Sequence, residues 1–153
     1  MSDKTHDLLI SRLIKAPRAI VWKAWTTPEH LKEWWGPDGF TSTIQEFDLR
    51  PGGVWRLIMH GSDGTDYANE SEFIEVVRPE RIVFRHLHPV HRFDMTMDFA
   101  DENGAARLTW QMLFESVEEA AKVRTFVAQA NEQNFDRLAA CLNKLHPHHE
   151  VLP

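Results

Sequence analysis

Histidines are the first residues in this sequence whose type and spacing could support chemistry. His86, His88 and His91 lie close together, and because residues 86 and 88 share one face of a strand, this pair could bind a metal. No acid or cysteine stands at ligand spacing, and Pro89 ends the strand, so we expect no metal site. His86 lies two residues after Phe84 on the predicted strand, so both side chains should point to the same, inward side. There His86 is either a buried histidine with hydrogen-bond partners in the protein or a group that binds a ligand or transfers a proton.

Several polar side chains could face an enclosed space and contact a ligand there. A buried polar atom needs a hydrogen-bond partner, and a ligand competes in that role with another side chain or water, which are commoner partners. Arg12 and Arg50 could hold a carboxylate, although a surface role or a role in positioning the backbone is more ordinary for both. The polar candidates for the enclosed space are Tyr67, Asn69, Ser71 and Asn131.

The motifs of familiar enzyme classes do not occur in the sequence. There is no Gly-x-Ser-x-Gly elbow, phosphate-binding loop or dinucleotide fingerprint. Cys141 fits the buried face of a helix, and nothing basic is placed to activate its thiolate. The acids on the predicted strands have no evident partners. We therefore assign no catalytic residue beyond the candidate His86, and we expect no cofactor.

Composition places the chain among ordinary globular proteins. It has 153 residues, 42% hydrophobic and 26% charged, which suits one domain over residues 1–153 with a core over about 8–145 and a tail at 146–153. A net charge of −6 without a basic run argues against nucleic-acid binding. The chain has a single cysteine and a polar start, which predict a cytoplasmic protein. Its apolar runs are far shorter than the ~20 residues of a membrane span, so we expect no insertion into membranes.

One strand and two short helices are predicted at the start of the chain. The stretch from Leu8 to Ile14 is rich in apolar residues and predicts a strand. Pro17 fits the first turn of a helix, and Thr27-Pro28 marks the start of a second helix that ends at Gly36-Pro37.

Antiparallel strands and one long helix are predicted for the remainder. From Thr41 to Phe114 the apolar residues recur at every second position, which indicates about six strands. Asn103-Gly104 between two of these runs is a strong signal for a two-residue hairpin turn. Ser116-Val117-Glu118-Glu119 is a capping box, and helical spacing continues from it to Leu145.

Together these elements predict an α+β fold in which a curved antiparallel β-sheet of about six to seven strands wraps around the long C-terminal helix. The two short helices lie between strands 1 and 2. The sheet has one apolar face, whose aromatic and methionine side chains form either a solid core or the wall of a cavity. The residues on that face are Trp55, Leu57, Met59, Tyr67, Phe84, Phe93, Met95, Trp110 and Met112.

Trp34 and Trp35 end the second helix beside this face. Adjacent helix residues point in different directions, so the two side chains cannot share one environment. They form either a structural plug or a hydrophobic lid that contacts a ligand, and if exposed they could pair in a homodimer. On the long helix, the residues predicted to contact a ligand are Phe126, Ala130, Asn131 and Asn134.

Several blocks of sequence occur in a recognisable order. They are Ala16-Pro17 with Val21-Trp22 and Ala24-Trp25-Thr26, then Trp34-Trp35-Gly36-Pro37, Leu49-Arg50-Pro51-Gly52-Gly53-Val54-Trp55, the stretch from Glu75 to Phe84, and the stretch from Asp136 to Leu142. In this order the blocks resemble the signature of the SRPBCC (START/birch-pollen-allergen-like) superfamily. More narrowly, they resemble its branch named after the activator of heat shock protein 90 ATPase homologue. The resemblance covers roughly residues 8 to 145.

The resemblance implies a helix-grip fold with a deep apolar cavity under the last helix. Members of the superfamily bind lipids, sterols, hormones or polyketides, and some are cyclases or dehydratases. We therefore expect this chain to bind a small apolar or amphipathic molecule between the sheet and the C-terminal helix. The alternatives are a cyclase- or dehydratase-type enzyme using the same cavity, and a co-chaperone-like module that binds heat shock protein 90.

The chain departs from the family pattern at three places. Ala130-Asn131 stands where many relatives carry Gly-Trp, Ser71 where many have Gly, and Arg85 where many have Thr. The loss of the helix tryptophan is expected to enlarge the cavity or to make it more polar.

Overall fold

The computed structural model describes residues 7–88 and 92–145 of the protein. Within these ranges it contains the predicted order of elements, with the two short helices between the first two strands, and it confirms the α+β helix-grip fold. The elements are β1 (Asp7–Ile14), α1 (Arg18–Thr26), α2 (Pro28–Trp34), β2 (Thr41–Phe47), β3 (Val54–His60), β4 (Asp66–Val77), β5 (Arg81–His88), β6 (Phe93–Glu102), β7 (Ala105–Phe114) and α3 (Val117–Leu145).

The strands form one antiparallel sheet in the order β1-β7-β6-β5-β4-β3-β2. β1 pairs with β7, so the first and second strands of the chain lie at opposite edges. The β6–β7 hairpin turns at Asn103 and Gly104, whose φ angles of 56° and 87° are both left-handed. Asn-Gly tolerates that conformation better than other pairs, which is why the sequence predicts this turn correctly.

The two halves of α3 pack differently against the sheet. Ser116 Oγ accepts a hydrogen bond from the backbone N–H of Glu119 at 3.1 Å, as the capping box predicts. In the second half of the helix, Phe135, Leu138 and Leu142 are at most 1% exposed. Residues 121–130 in the first half are all described, and none of them is fully buried. The second half therefore fills one end of the concave face, while the first half is packed more loosely.

None of the helices within the described ranges is both long and apolar enough to span a membrane.

Tryptophan side chains from the short helices close one end of the core. The ring of Trp25 lies 5.9 Å from that of Trp35 and 5.3 Å from that of Trp55. Trp34 is 0% exposed, and its Nε1 donates a hydrogen bond to the carbonyl oxygen of Ala24 at 3.1 Å. Because Trp34 is buried and Trp35 packs against the core, the premise that this tryptophan pair is exposed is wrong, while a homodimer stays a prediction.

The outward face of the sheet carries ion pairs between neighbouring strands. Arg85 on β5 bonds to Asp94 on β6 at 2.8 Å, and Arg81 bonds to Asp98 at 2.7 Å. Each arginine stands directly opposite its acid in the β5–β6 register. The interpretation that the strand acids lack partners is therefore wrong, because the pairing depends on a register that the sequence alone does not reveal.

Candidate functional site

A cavity of about 400 Å³ lies between the concave face of the sheet and the first half of α3. Strands β3 to β7 supply its floor, α3 its roof, and the loop after α2 one of its ends. Its lining residues are Trp35, Gly36, Pro37, Phe40, Trp55, Leu57, Met59, Tyr67, Asn69, Ser71, Phe84, His86, Phe93, Met95, Met112, Phe126, Val127, Ala130, Asn131 and Asn134.

The floor carries a row of four residues that stand opposite one another across the strands. Trp55 on β3 pairs with Ser71 on β4, Ser71 with His86 on β5, and His86 with Phe93 on β6. Ser71 is 2% exposed and His86 is 8% exposed. The imidazole of His86 stacks on the ring of Phe93 with centroids 4.8 Å apart. The centre of the floor is thus a polar pair between two aromatic side chains.

The roof presents two asparagines on one face of α3. Asn131 and Asn134 are three residues apart, so they are neighbours on the helix surface, and they are 5% and 6% exposed. Asn131 Nδ2 lies 3.5 Å from the sulfur of Met112 on the floor. Asn134 Oδ1 accepts a hydrogen bond from the backbone N–H of Gly36 at 2.7 Å.

The loop after α2 is held to α3 by a set of hydrogen bonds. Arg137 donates to the carbonyl oxygens of Gly36 and Pro37 at 2.8 and 3.0 Å. Burial lowers the pKa of Arg137, yet an arginine stays protonated in proteins, so the donors are retained. Gln133 Oε1 accepts the N–H of Asp38 at 3.0 Å. These bonds fix the end wall of the cavity.

Gly36 suits its position in its backbone conformation and in the space around it. Its φ of 114° is left-handed, which side chains rarely adopt. A Cβ atom there would lie only 2.8 Å from Cε of Met59, a residue of the cavity wall. The glycine therefore lets the loop approach the sheet closely.

The mouth of the cavity is bordered by apolar side chains. Phe126 on α3 is 69% exposed and Tyr67 on β4 is 39% exposed, although both line the cavity. The ring of Phe40 lies 6.0 Å from that of Tyr67. An apolar molecule would meet an aromatic rim here before it reaches the interior.

The predicted ligand-contacting residues line the cavity except for Trp34 and Trp110. Trp34 lies in the core beside α1, as described above. Trp110 is 1% exposed, with its ring 4.3 Å from that of Phe135. It lies beneath the second half of α3, where the helix fills the groove. Strand parity places Trp110 on the correct face but does not reveal which part of that face the helix leaves open.

Four lining residues escape the predicted ligand set: Gly36, Pro37, Phe40 and Val127. Val127 precedes Asn131 by four residues and Asn134 by seven, so helical spacing could have identified it. Phe40 lies in an irregular connection with no periodicity, and nothing in the sequence points to it. Ser71, a polar candidate, does line the cavity.

The arginines considered as carboxylate ligands are engaged elsewhere. Arg12 on β1 pairs with Glu132 and Asp136 on α3, the latter at 2.7 Å. Arg50 pairs with Asp48 at 2.9 Å on the surface. Neither arginine is among the lining residues.

The remaining chemical candidates are a thiol and a metal site. Cys141 is buried on α3, and burial raises the pKa of its thiol, which does not favour a reactive thiolate. Across residues 7–88 and 92–145, no group of histidine, cysteine and acidic side chains could hold a metal ion. His91, the third member of the histidine cluster, lies outside the described residues.

The sequence model of the family described as "Activator of Hsp90 ATPase homolog 1-like protein" matches residues 15–143. The chain belongs to this family. The match agrees with the resemblance drawn from the sequence blocks. Folds of this family commonly bind small ligands. No match to this chain was found among curated proteins.

Solved structures share the Activator of Hsp90 ATPase homolog 1-like fold. A protein from Mycobacterium smegmatis is 28% identical with a TM-score of 0.82, over 93% of this chain and 94% of that one. A protein from Nitrosomonas europaea is 20% identical with a TM-score of 0.83, over 94% of this chain and 97% of that one. One from Arthrobacter aurescens is 23% identical with a TM-score of 0.84, over 95% and 93%.

Proposed function

We propose that this protein binds a small apolar or amphipathic molecule in the cavity between the sheet and α3. The observation that carries the proposal is the cavity of about 400 Å³, which falls within the ~300–1,000 Å³ range of ligand pockets. Its wall is mostly aromatic and aliphatic, and a small number of polar groups converge on it. Ligand pockets in proteins have this composition.

Burial of apolar surface supplies most of the binding free energy. Removal of apolar surface from water contributes about 25 cal/mol per Å², so a ligand that buries roughly 200 Å² gains about 5 kcal/mol before the entropic costs of association. Met59, Met95 and Met112 are adaptable side chains in the wall, and methionine accommodates ligands of irregular shape.

A pair of tryptophan substitutions on α3 tests the site. Ala130→Trp places an indole in the cavity, whereas Ala121→Trp adds the same side chain at an exposed position of the same helix. Equilibrium dialysis with 2-naphthalenemethanol should show binding to the wild type and to Ala121→Trp, with a loss of at least about tenfold in Ala130→Trp. Equal affinity in all three proteins, or none in the wild type, would overturn the proposal.

An enzyme that uses the same cavity is the second candidate, and one observation favours it. His86 lies on the cavity floor opposite Ser71, where an imidazole could act as an acid or a base toward a bound carbonyl compound. His86→Gln should then leave ligand binding intact and abolish conversion of the bound compound. Mass spectrometry of the bound compound measures that conversion. If the wild type returns every bound compound unchanged, the binding proposal stands alone.

Stimulation of heat shock protein 90 ATPase activity in the absence of ligand binding would support the partner-binding alternative instead.

A further inference from the structure

The walls of the cavity carry no full charge from lysine, arginine, aspartate or glutamate among the described lining residues. An ionised group that enters a low-dielectric site without a counter-ion loses its hydration and gains little in return. The lining therefore favours uncharged ligands over ionised ones, in addition to favouring apolar ligands over polar ones.

Two arginines that contact α3 or lie on it, Arg12 and Arg137, have their own partners. Arg137 donates to the backbone oxygens of Gly36, Pro37 and Glu33. Arg12 holds carboxylates of α3. A ligand carboxylate or phosphate that recruited either arginine as a counter-charge would have to break these bonds.

Hydrogen-bonding capacity remains on both the floor and the roof. Ser71 is 2% exposed and lines the cavity, and its hydroxyl has no hydrogen-bond partner within residues 7–88 and 92–145. Asn131 makes one contact through Nδ2, to a weakly accepting sulfur, and its carbonyl oxygen has no partner in the same described part of the chain. The Ser71 hydroxyl is thus available on the floor as a donor and an acceptor, and the Asn131 carbonyl oxygen is available on the roof as an acceptor.

These groups occupy a limited part of the cavity. Asn131 contacts Met112, which pairs with Met95 on the floor, and this pair lies one row from the row of Ser71 and His86. The Ser71 hydroxyl and the Asn131 carboxamide therefore lie at adjacent rows of the floor, in a wall that is mostly aromatic and aliphatic. A ligand that satisfies them needs one small polar group on an otherwise apolar body.

We propose that the ligand is an uncharged apolar molecule with a single hydroxyl group, which Ser71 and Asn131 bind, and that organic acids and amines of the same skeleton are rejected. This inference rests on the proposed function, and it adds the charge and the polar group of the ligand. The Ser71 hydroxyl donates a hydrogen bond to the ligand oxygen, and the ligand hydroxyl donates its own to the carbonyl oxygen of Asn131.

Four probes with one skeleton test the inference: 2-naphthalenemethanol, 2-methylnaphthalene, 2-naphthoate and 2-naphthylmethylammonium. Equilibrium dialysis at pH 8 gives the affinity of each of the four probes. The alcohol should bind about tenfold more tightly than the hydrocarbon, the value of one net hydrogen bond. Both ions should bind at least about a hundredfold more weakly than the alcohol.

Substitutions test whether Ser71 and Asn131 cause the preference for the alcohol over the hydrocarbon. Ser71→Ala and Asn131→Leu should each bring the alcohol close to the affinity of the hydrocarbon, while Ser62→Ala, at an exposed position, should keep the tenfold difference. The hydrocarbon affinity of each variant reports whether the cavity is intact.

The outcomes separate this inference from the proposed function. Naphthoate or the ammonium probe binding as tightly as the alcohol would overturn the inference and leave cavity binding in place. Retention of the alcohol preference in both Ser71→Ala and Asn131→Leu would also overturn it. Failure of the wild type to bind any of the four probes would contradict the proposed function itself.

Discussion

Asn134 of α3 and Gly36 of the loop after α2 are joined by a hydrogen bond of 2.7 Å, from the glycine N–H to the carboxamide Oδ1. The two residues are 98 positions apart, and both line the cavity. The bond ties the roof to the end wall, so the shape of the cavity depends on it.

Asn134→Ala should destabilise the protein, because the buried N–H of Gly36 loses its acceptor. An unsatisfied buried donor costs about 1–3 kcal/mol, which urea unfolding would detect as a lower midpoint. Gln133→Ala is the matched control, since it removes an acceptor for a backbone N–H at an exposed position. An equal loss in the two variants would show that the buried bond has no special role.

Gly36→Ala should destabilise the fold more than Gly64→Ala. Both glycines have left-handed φ angles, 114° and 88°, so each substitution carries a conformational cost of about 1–2 kcal/mol. Only at residue 36 does the new Cβ meet a neighbour, Cε of Met59 at 2.8 Å, whereas nothing lies within 4 Å at residue 64. Thermal unfolding of the two variants should differ, and Gly36→Ala should also bind the naphthalene probes more weakly. The Met59 methyl group can move aside at small cost in stability but changes the cavity wall when it does, so unchanged probe affinity in Gly36→Ala would contradict the close approach.

Arg12→Met should cost about 1 kcal/mol, because it removes the link between β1 and the two acids of α3. The side chain of Arg12 is only 17% exposed, so solvent screens this link less than an exposed ion pair. Arg50→Met is the control: its pair with Asp48 is 71% and 40% exposed and should contribute almost nothing. Urea unfolding at low and high salt measures both, and a larger loss for Arg50→Met would refute the account.

Cys141 should make the stability of the fold fall at alkaline pH. Burial raises the pKa of its thiol above the ordinary 9.0, so below that pH the thiol is protonated in both the folded and the unfolded states and costs nothing. Above it, the unfolded chain releases the proton while the folded protein retains it, and the equilibrium moves toward unfolding. The free energy of unfolding of the wild type should therefore decline more steeply above pH 9.0 than that of Cys141→Ala. Parallel pH profiles would contradict this.

The fold follows from the sequence wherever local chemistry decides it. The Asn103-Gly104 turn and the Ser116 cap are encoded by residues next to each other, and both are present. The candidate site follows less completely. Parity places Trp110 on the inner face but cannot show that Phe135 packs onto it. Phe40 enters the wall from a connection without any repeating pattern.

The strand register determines which charged side chains pair on the outer face of the sheet, and the sequence alone does not predict these pairs. Arg85 and Asp94 are nine positions apart in the chain and meet only because β5 and β6 pair in one register. Contacts of this kind depend on packing between elements, and single-sequence patterns describe only the elements themselves.

The most direct test of the account is the position of a bound probe. We would follow the indole and asparagine side-chain N–H signals of the ¹⁵N-labelled protein by NMR during titration with 2-naphthalenemethanol. The account predicts that the signals of Trp35, Trp55 and Asn131 shift, since these residues line the cavity, while the indole signal of Trp22 stays in place. Shifts confined to the signals of Trp22 and the exposed Asn103, or no shift at any probe concentration, would contradict it.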